Sequence, residues 1–177
     1  MKKTIFLLMF TFGWTLMLSA QESEKSQKVL QDAEESKTAF IKADPGLEKL
    51  MNSSAGYAIF PNVGKGGLGV GAATGNGILF EGGKPSGTTR LTQLTIGFQA
   101  GGQVYQELIL FENEESLSRF KDNKFELSAQ LSAVAAASGV SADAKYNEGV
   151  LVFTLPKKGL MYEATVGGQK FTYKPIK

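Results

Sequence analysis

The sequence predicts an α+β fold in which N-terminal helices precede a strongly curved antiparallel β-sheet or barrel rich in glycine. Three observations carry this. Residues 23–43 repeat apolar side chains at helical spacing (Val29, Leu30, Ala33, Phe40, Ile41). From Gly56 to Gly83 the texture changes to ten glycines in 28 residues, too many for helix interiors. Beyond that point, alternating segments such as Thr92, Leu94, Ile96 and Phe98 read as half-buried strands.

The elements follow in order. Residues 21–54 form a helical segment: one amphipathic helix, then a short one for which Asp44 is the expected N-cap, Pro45 the first position and Leu47, Leu50 and Met51 the apolar side. Residues 55–177 form the glycine-rich β domain, and the two segments together make one unit. Tyr57–Phe60 is a strand stopped by Pro61, and Leu68–Ala73 is a second. Thr74-Gly75-Asn76-Gly77 predicts a tight reversal, because Asn-Gly supplies the positive φ of a hairpin turn, with Ile78–Phe80 as its partner strand. A loop over Gly82–Gly87 leads to a strand over Arg90–Gln99, a turn at Gly101-Gly102 and a returning strand over Val104–Phe111. Asn113 is the expected cap of a short helix with Leu117 and Phe120 facing inward. Phe125–Ala137 reads as strand, and Val150–Leu155, Leu160–Val166 and Lys170–Lys174 close the chain, with a turn at Gly167-Gly168. The total is about seven to nine strands.

The first twenty residues stand apart. Lys2 and Lys3, the 14-residue apolar run Ile5–Leu18 and the ending Leu18-Ser19-Ala20 predict a secretory signal peptide over residues 1–20, cut before Gln21. The run is short of the ~20 residues that cross a bilayer. No Cys follows it, so no lipobox is present, and the predicted location is periplasmic or secreted. Cleavage removes two lysines and no acid from 19 basic and 17 acidic residues, leaving a formally neutral chain. Overall charge therefore gives no affinity for nucleic acid, and any basic site must be local.

The chain has neither Cys nor His. A Ser-His-Asp triad, a cysteine nucleophile and a His- or Cys-ligated zinc site are all ruled out, so the sequence predicts no enzyme, no cofactor and no resident metal. Gly64-Lys65-Gly66-Gly67-Leu68-Gly69 carries glycines at dinucleotide-binding spacing, but no helix opens at the third glycine, as that site requires. Ser118-Arg119-Phe120-Lys121 matches Ser-x-x-Lys without its companion Lys-Thr-Gly and reads as a solvated helix face. Lys65 is the more informative residue: between glycines, its ammonium could join backbone N–H groups in an anion nest. An ordinary exposed lysine in a turn is the plainer reading. Lys157-Lys158 likewise reads first as a turn between strands and second as a lipid-facing pair.

The segment Ala55-Gly56-Tyr57-Ala58-Ile59-Phe60-Pro61-Asn62-Val63-Gly64-Lys65-Gly66-Gly67 resembles the opening signature of the SYLF family. Ile96–Gln103 and Lys158–Gly168 are similar to its two later blocks, in order, over roughly Leu30 to Lys174. The resemblance implies a module that binds phosphoinositides and other anionic lipids; some eukaryotic members also bundle actin. It matches Lys65 to the family's lysine after the strand-Pro signature and so implies a headgroup contact there. Two departures limit the transfer. Residues 21–42 mix acids and bases evenly, where eukaryotic members carry a basic amphipathic segment, and the predicted export removes cytosolic actin as a partner.

The leading expectation is a non-enzymatic module of the bacterial envelope that contacts anionic phospholipid headgroups through Lys65, Lys84, Arg90, Lys157 and Lys158. The alternative is a structural or protein-partner-binding envelope protein with no lipid site. Several cations on one face would favour the first, and an exposed apolar patch the second.

Overall fold

A computed structural model describes residues 24–127 and 134–176, with the side chains of residues 97–99 and 159–167 outside the description. The predicted signal peptide, residues 1–20, lies outside the described residues. Helix α1 spans residues 24–43 and α2 Gly46–Ser53; then come β1 (Gly56–Glu81), β2 (Lys84–Phe111), α3 (Glu114–Lys121), β3 (Glu126–Leu127), β4 (Val134–Ala135), α4 (Val140–Asp143) and β5 (Val150–Pro175). The fold is α+β, with a strongly curved sheet behind N-terminal helices.

Its strands differ from the expected seven to nine. Three very long ones carry the sheet, 26, 28 and 26 residues in β1, β2 and β5, against about 5–6 in an ordinary strand. The sheet order is β1-β2-β5-β3, antiparallel, and β4 adds a two-residue parallel pairing to β5. The turns expected at Asn76-Gly77, Gly101-Gly102 and Gly167-Gly168 do not exist. All three dipeptides lie inside strands, paired as Gly77↔Thr89, Gly66↔Gly102↔Leu160 and Leu94↔Gly168. The hairpin between β1 and β2 instead turns at Gly82-Gly83, whose φ values of 56° and 77° require glycine, and Glu81 pairs with Lys84 across it. Pro61 does not end its strand either; it sits in a register shift between Phe60 and Val63, an arrangement that tolerates its missing N–H. Of the segment Phe125–Ala137, expected as strand, β3 and β4 are strand, and residues 128–133 lie outside the described residues.

The glycines serve a fold-over rather than turns. The three-stranded ribbon bends sharply near Gly67–Gly71, where Gly69 has φ 75° and the register slips between Leu68 and Val70. The two halves of β1 then face each other. A Cβ on Gly77 would lie 2.5 Å from the Ile59 carbonyl oxygen and 2.7 Å from the Phe60 ring, so only glycine permits the approach.

The folded sheet encloses an inner core. Phe60, Phe111, Phe120, Phe125 and Phe171 pack with ring centroids 4.8–5.8 Å apart, and α3 supplies Leu117 and Phe120. The Asn113 side chain caps α3 as expected, accepting a 3.0 Å bond from the Ser116 N–H. A second core lies outside the sheet, where Ala33, Phe40, Leu47 and Met51 of α1 and α2 cover Ile59, Leu108 and Phe153. Each fully buried Phe or Leu adds about 1.5–3 kcal/mol. Asp44 caps differently from expectation, because Pro45 occupies the N-cap position of α2. The buried Asp44 carboxylate accepts from the Gly46 N–H at 3.0 Å and from the Ser141 N–H at 2.7 Å, joining α2 to α4 across 97 residues.

Candidate functional site

Among the described residues, no helix or strand packs over the outer face of the sheet at the bend. Side chains alternate along β1 and β2, so Val70, Ala72, Leu94 and Ile96 share the outer face, with Val70 paired to Ile96 and Ala72 to Leu94. Leu68 is 83% exposed, Leu94 73%, Ile96 72% and Val70 64%. Isolated exposed leucines are ordinary; four large apolar side chains clustered at one tip are not. Moving from this tip along the same outer face, the next rows are Thr74–Thr92–Lys170 and Asn76–Arg90–Thr172. The face thus runs from apolar through hydroxyl-bearing to cationic.

The residues that carry the SYLF resemblance meet at the bend. Lys65 pairs with Gln103 and Gln103 with Gly159, while Gly64 pairs with Val104 and Val104 with Lys158. Three blocks distant in sequence are adjacent strands at one place. Lys65 and Lys158 line one shallow cleft there with Gln103 and Val104. The half-buried Lys65 charge also reaches the buried Glu107 carboxyl.

The other predicted contacts fall elsewhere. Lys157 occupies the register shift of β5 and donates to the Pro61 carbonyl oxygen at 3.2 Å and Asn62 Oδ1 at 3.0 Å, which ties β5 to β1. Lys84 follows the Gly82-Gly83 turn, beyond the inner-core end of the ribbon. Arg90 lines a separate cleft of about 360 Å³ between α1 and the outer face of the sheet, together with Lys25 and Lys174. Sequence reasoning brought Lys65 and Lys158 to the same site but missed Lys25, Lys174 and the apolar tip. The alternation that reveals Leu94 and Ile96 was visible, but it read equally well as a buried face.

Inside the fold-over, Gln169 Nε2 donates a 3.0 Å bond to Glu107 Oε2. Burial pushes the Glu107 carboxyl up to about 7, against the opposing effects of the Gln169 bond and the Lys65 charge. Among the described residues, no cluster of three acidic, His or Cys side chains could hold a metal ion, and no helix is long and apolar enough to cross a membrane.

An apolar tip and two cation-lined clefts on a folded-over sheet are the surface features expected of a binding module. Residues 92–175, from β2 through β5, match the family model described as Ysc84, Las17-binding protein actin regulator, in line with the SYLF resemblance of the sequence. A curated relative, "Beta cell expansion factor A" of Aeromonas veronii, is 29% identical over 129 residues. The match covers 72% of this chain and 49% of the relative, so the chain spans about half the length of the protein it matches.

Proposed function

We propose that this protein is a non-enzymatic module of the bacterial envelope, exported by its N-terminal signal, that binds anionic phospholipid surfaces with the bent end of its sheet leading. The observation that carries this reading is the exposed quartet Leu68, Val70, Leu94 and Ile96 on an outer face that turns cationic further from the tip. The apolar side chains enter the acyl boundary, and the cations meet the phosphates behind them. Strand rise of ~3.3 Å per residue puts Arg90 roughly 13 Å from Leu94 along β2, so the cation stands behind the apolar tip on the side of the headgroups and the water beyond them. Lys65 and Lys158 lie at the same end and add contacts; Lys84 and Lys157 contribute less, one distant and the other tied to β1. The match of residues 92–175 to the Ysc84 model is consistent with lipid as the ligand class.

Sedimentation with vesicles of phosphatidylglycerol and phosphatidylcholine tests this. Binding rises with the anionic fraction and falls with salt, because the cations act through screened attraction. Lys65→Gln and Lys158→Gln each weaken binding by up to about fivefold, roughly 1 kcal/mol per cation near an anionic surface. An apolar tip is also what a protein-binding module would show. Folded protein that ignores anionic vesicles at low salt would establish that second reading instead.

A further inference from the structure

Lys25, Arg90 and Lys174 converge on the cleft between α1 and the sheet, and the described residues that line it include no carboxylate. Among the described residues none of these three side chains makes a hydrogen bond or ion pair, in contrast to Lys121, which binds Glu81 at 3.0 Å, and Lys170, which binds Glu126 at 2.9 Å. Three uncompensated cations in one cleft repel each other, and an anion between them would reverse that cost. The neighbouring groups are hydrogen-bonding as well: Asn76 and Thr172 flank Arg90 on the adjacent strands, and Ser26 stands on α1. Strand register places Arg90 and Lys174 on this face, since Asn76–Arg90–Thr172 and Ile78–Thr88–Lys174 are consecutive outward rows with Ile78 buried beneath, and the packing of α1 adds Lys25.

We infer that this cleft is a binding site for a phosphate-type oxyanion, held by Lys25, Arg90 and Lys174 with Asn76, Thr172 and Ser26 as hydrogen-bonding neighbours. The planar Arg90 guanidinium suits two phosphate oxygens at once, while the lysines act as point charges. At about 360 Å³ the cleft has room for a phosphate together with an attached group, which fits a phosphomonoester or phosphodiester rather than a bare ion alone. The source is either a lipid headgroup or a soluble phosphorylated molecule. The site stands whether or not the apolar tip enters a bilayer.

Two arms of one experiment separate these. In the first, the full chain without vesicles is titrated with inorganic phosphate and with glycerol phosphate while backbone amide resonances are followed. Saturable shifts at Asn76, Arg90 and Thr172 are expected with both ligands, with tighter binding of the ester, and each of Arg90→Gln and Lys174→Gln weakens binding by about tenfold. All three cations are on the surface, so single variants keep the fold, and matched melting temperatures verify it. Absence of saturable shifts at these residues, or equal affinity in Arg90→Gln and Lys174→Gln, overturns the site. In the second arm, phosphatidylglycerol vesicles are added to wild type and to Leu94→Ser/Ile96→Ser. Soluble ester that competes with vesicles at the cleft identifies the lipid headgroup as the source; vesicles that leave the cleft resonances unmoved identify a soluble ligand. Loss of vesicle binding in the tip variant with phosphate titration unchanged shows that the cleft and the tip act separately.

Discussion

Gln169 of β5 and Glu107 of β2 meet at 3.0 Å across the inside of the folded-over sheet, though they are 62 residues apart and lie in opposite halves of the ribbon. The bond exists because the ribbon bends. Phenylalanines fill one end of the interior; toward the bend Glu107, Gln169 and Gln93 join it, and Glu107 Oε1, Gln169 Oε1 and Gln93 Oε1 have no hydrogen-bond partner among the described residues. At Glu107 burial outweighs both the Gln169 bond and the Lys65 charge.

Stability should accordingly depend on pH through Glu107. Its carboxyl titrates at about 7 in the fold and near the ordinary 4.5 when unfolded, so the folded state is the one that holds the proton. This stabilisation is fully present below pH 4.5 and is lost as pH rises toward 7, by up to about 3 kcal/mol. Glu107→Gln removes the loss. Denaturant midpoints at pH 5 and pH 8 should differ for wild type and converge for the variant.

Asp44 behaves in the opposite sense. Burial raises its pKa, but hydrogen bonds from Ser141, Gly46 and Gly139 outweigh that and hold the carboxyl below its usual range. Its contribution is present above the unfolded pKa and fades as pH falls through the folded one. Asp44→Asn keeps one acceptor and loses the charge, which costs about 2 kcal/mol at pH 7. In acid the two proteins should approach equal stability, a convergence that urea denaturation at pH 3 and pH 7 would reveal.

Gly77→Val separates a packing role from a turn role. A hairpin turn at Asn76-Gly77 would make the substitution costly through positive φ. In the fold its φ is not positive, and the cost comes from collision with Ile59 and Phe60. The expected loss is about 2–4 kcal/mol, the scale of overpacked cores. Gly77→Ala, which adds only the colliding Cβ, should lose much of the same amount. At Gly82, where φ is 56° and nothing lies near, Ala costs only the backbone strain, about 1 kcal/mol. Equal losses for Ala at 77 and at 82 would contradict the fold-over.

These residues show how far the sequence was legible. Helix α1 and the Asn113 cap follow from local rules, and local rules are visible in one strand of text. Glycine is ambiguous in that text: Asn76-Gly77 and Gly82-Gly83 carry the same turn signal, yet only the second turns. What decides between them is a contact with Ile59, eighteen positions upstream, which no local pattern encodes. The cationic cleft was half legible for the same reason, because Arg90 stood out in its strand while Lys174 reaches it through the β2–β5 register and Lys25 through the packing of α1.

Lipid binding led by the bent end of the sheet requires the tip to enter the bilayer. Trp14 is the sole tryptophan, so Trp14→Phe with Leu94→Trp places a single indole at the tip. Fluorescence is then read against phosphatidylglycerol vesicles whose acyl chains carry bromine. A blue shift and strong quenching are expected, and both should disappear at high salt or with neutral vesicles. Vesicle binding by sedimentation with an unshifted, unquenched indole would contradict it.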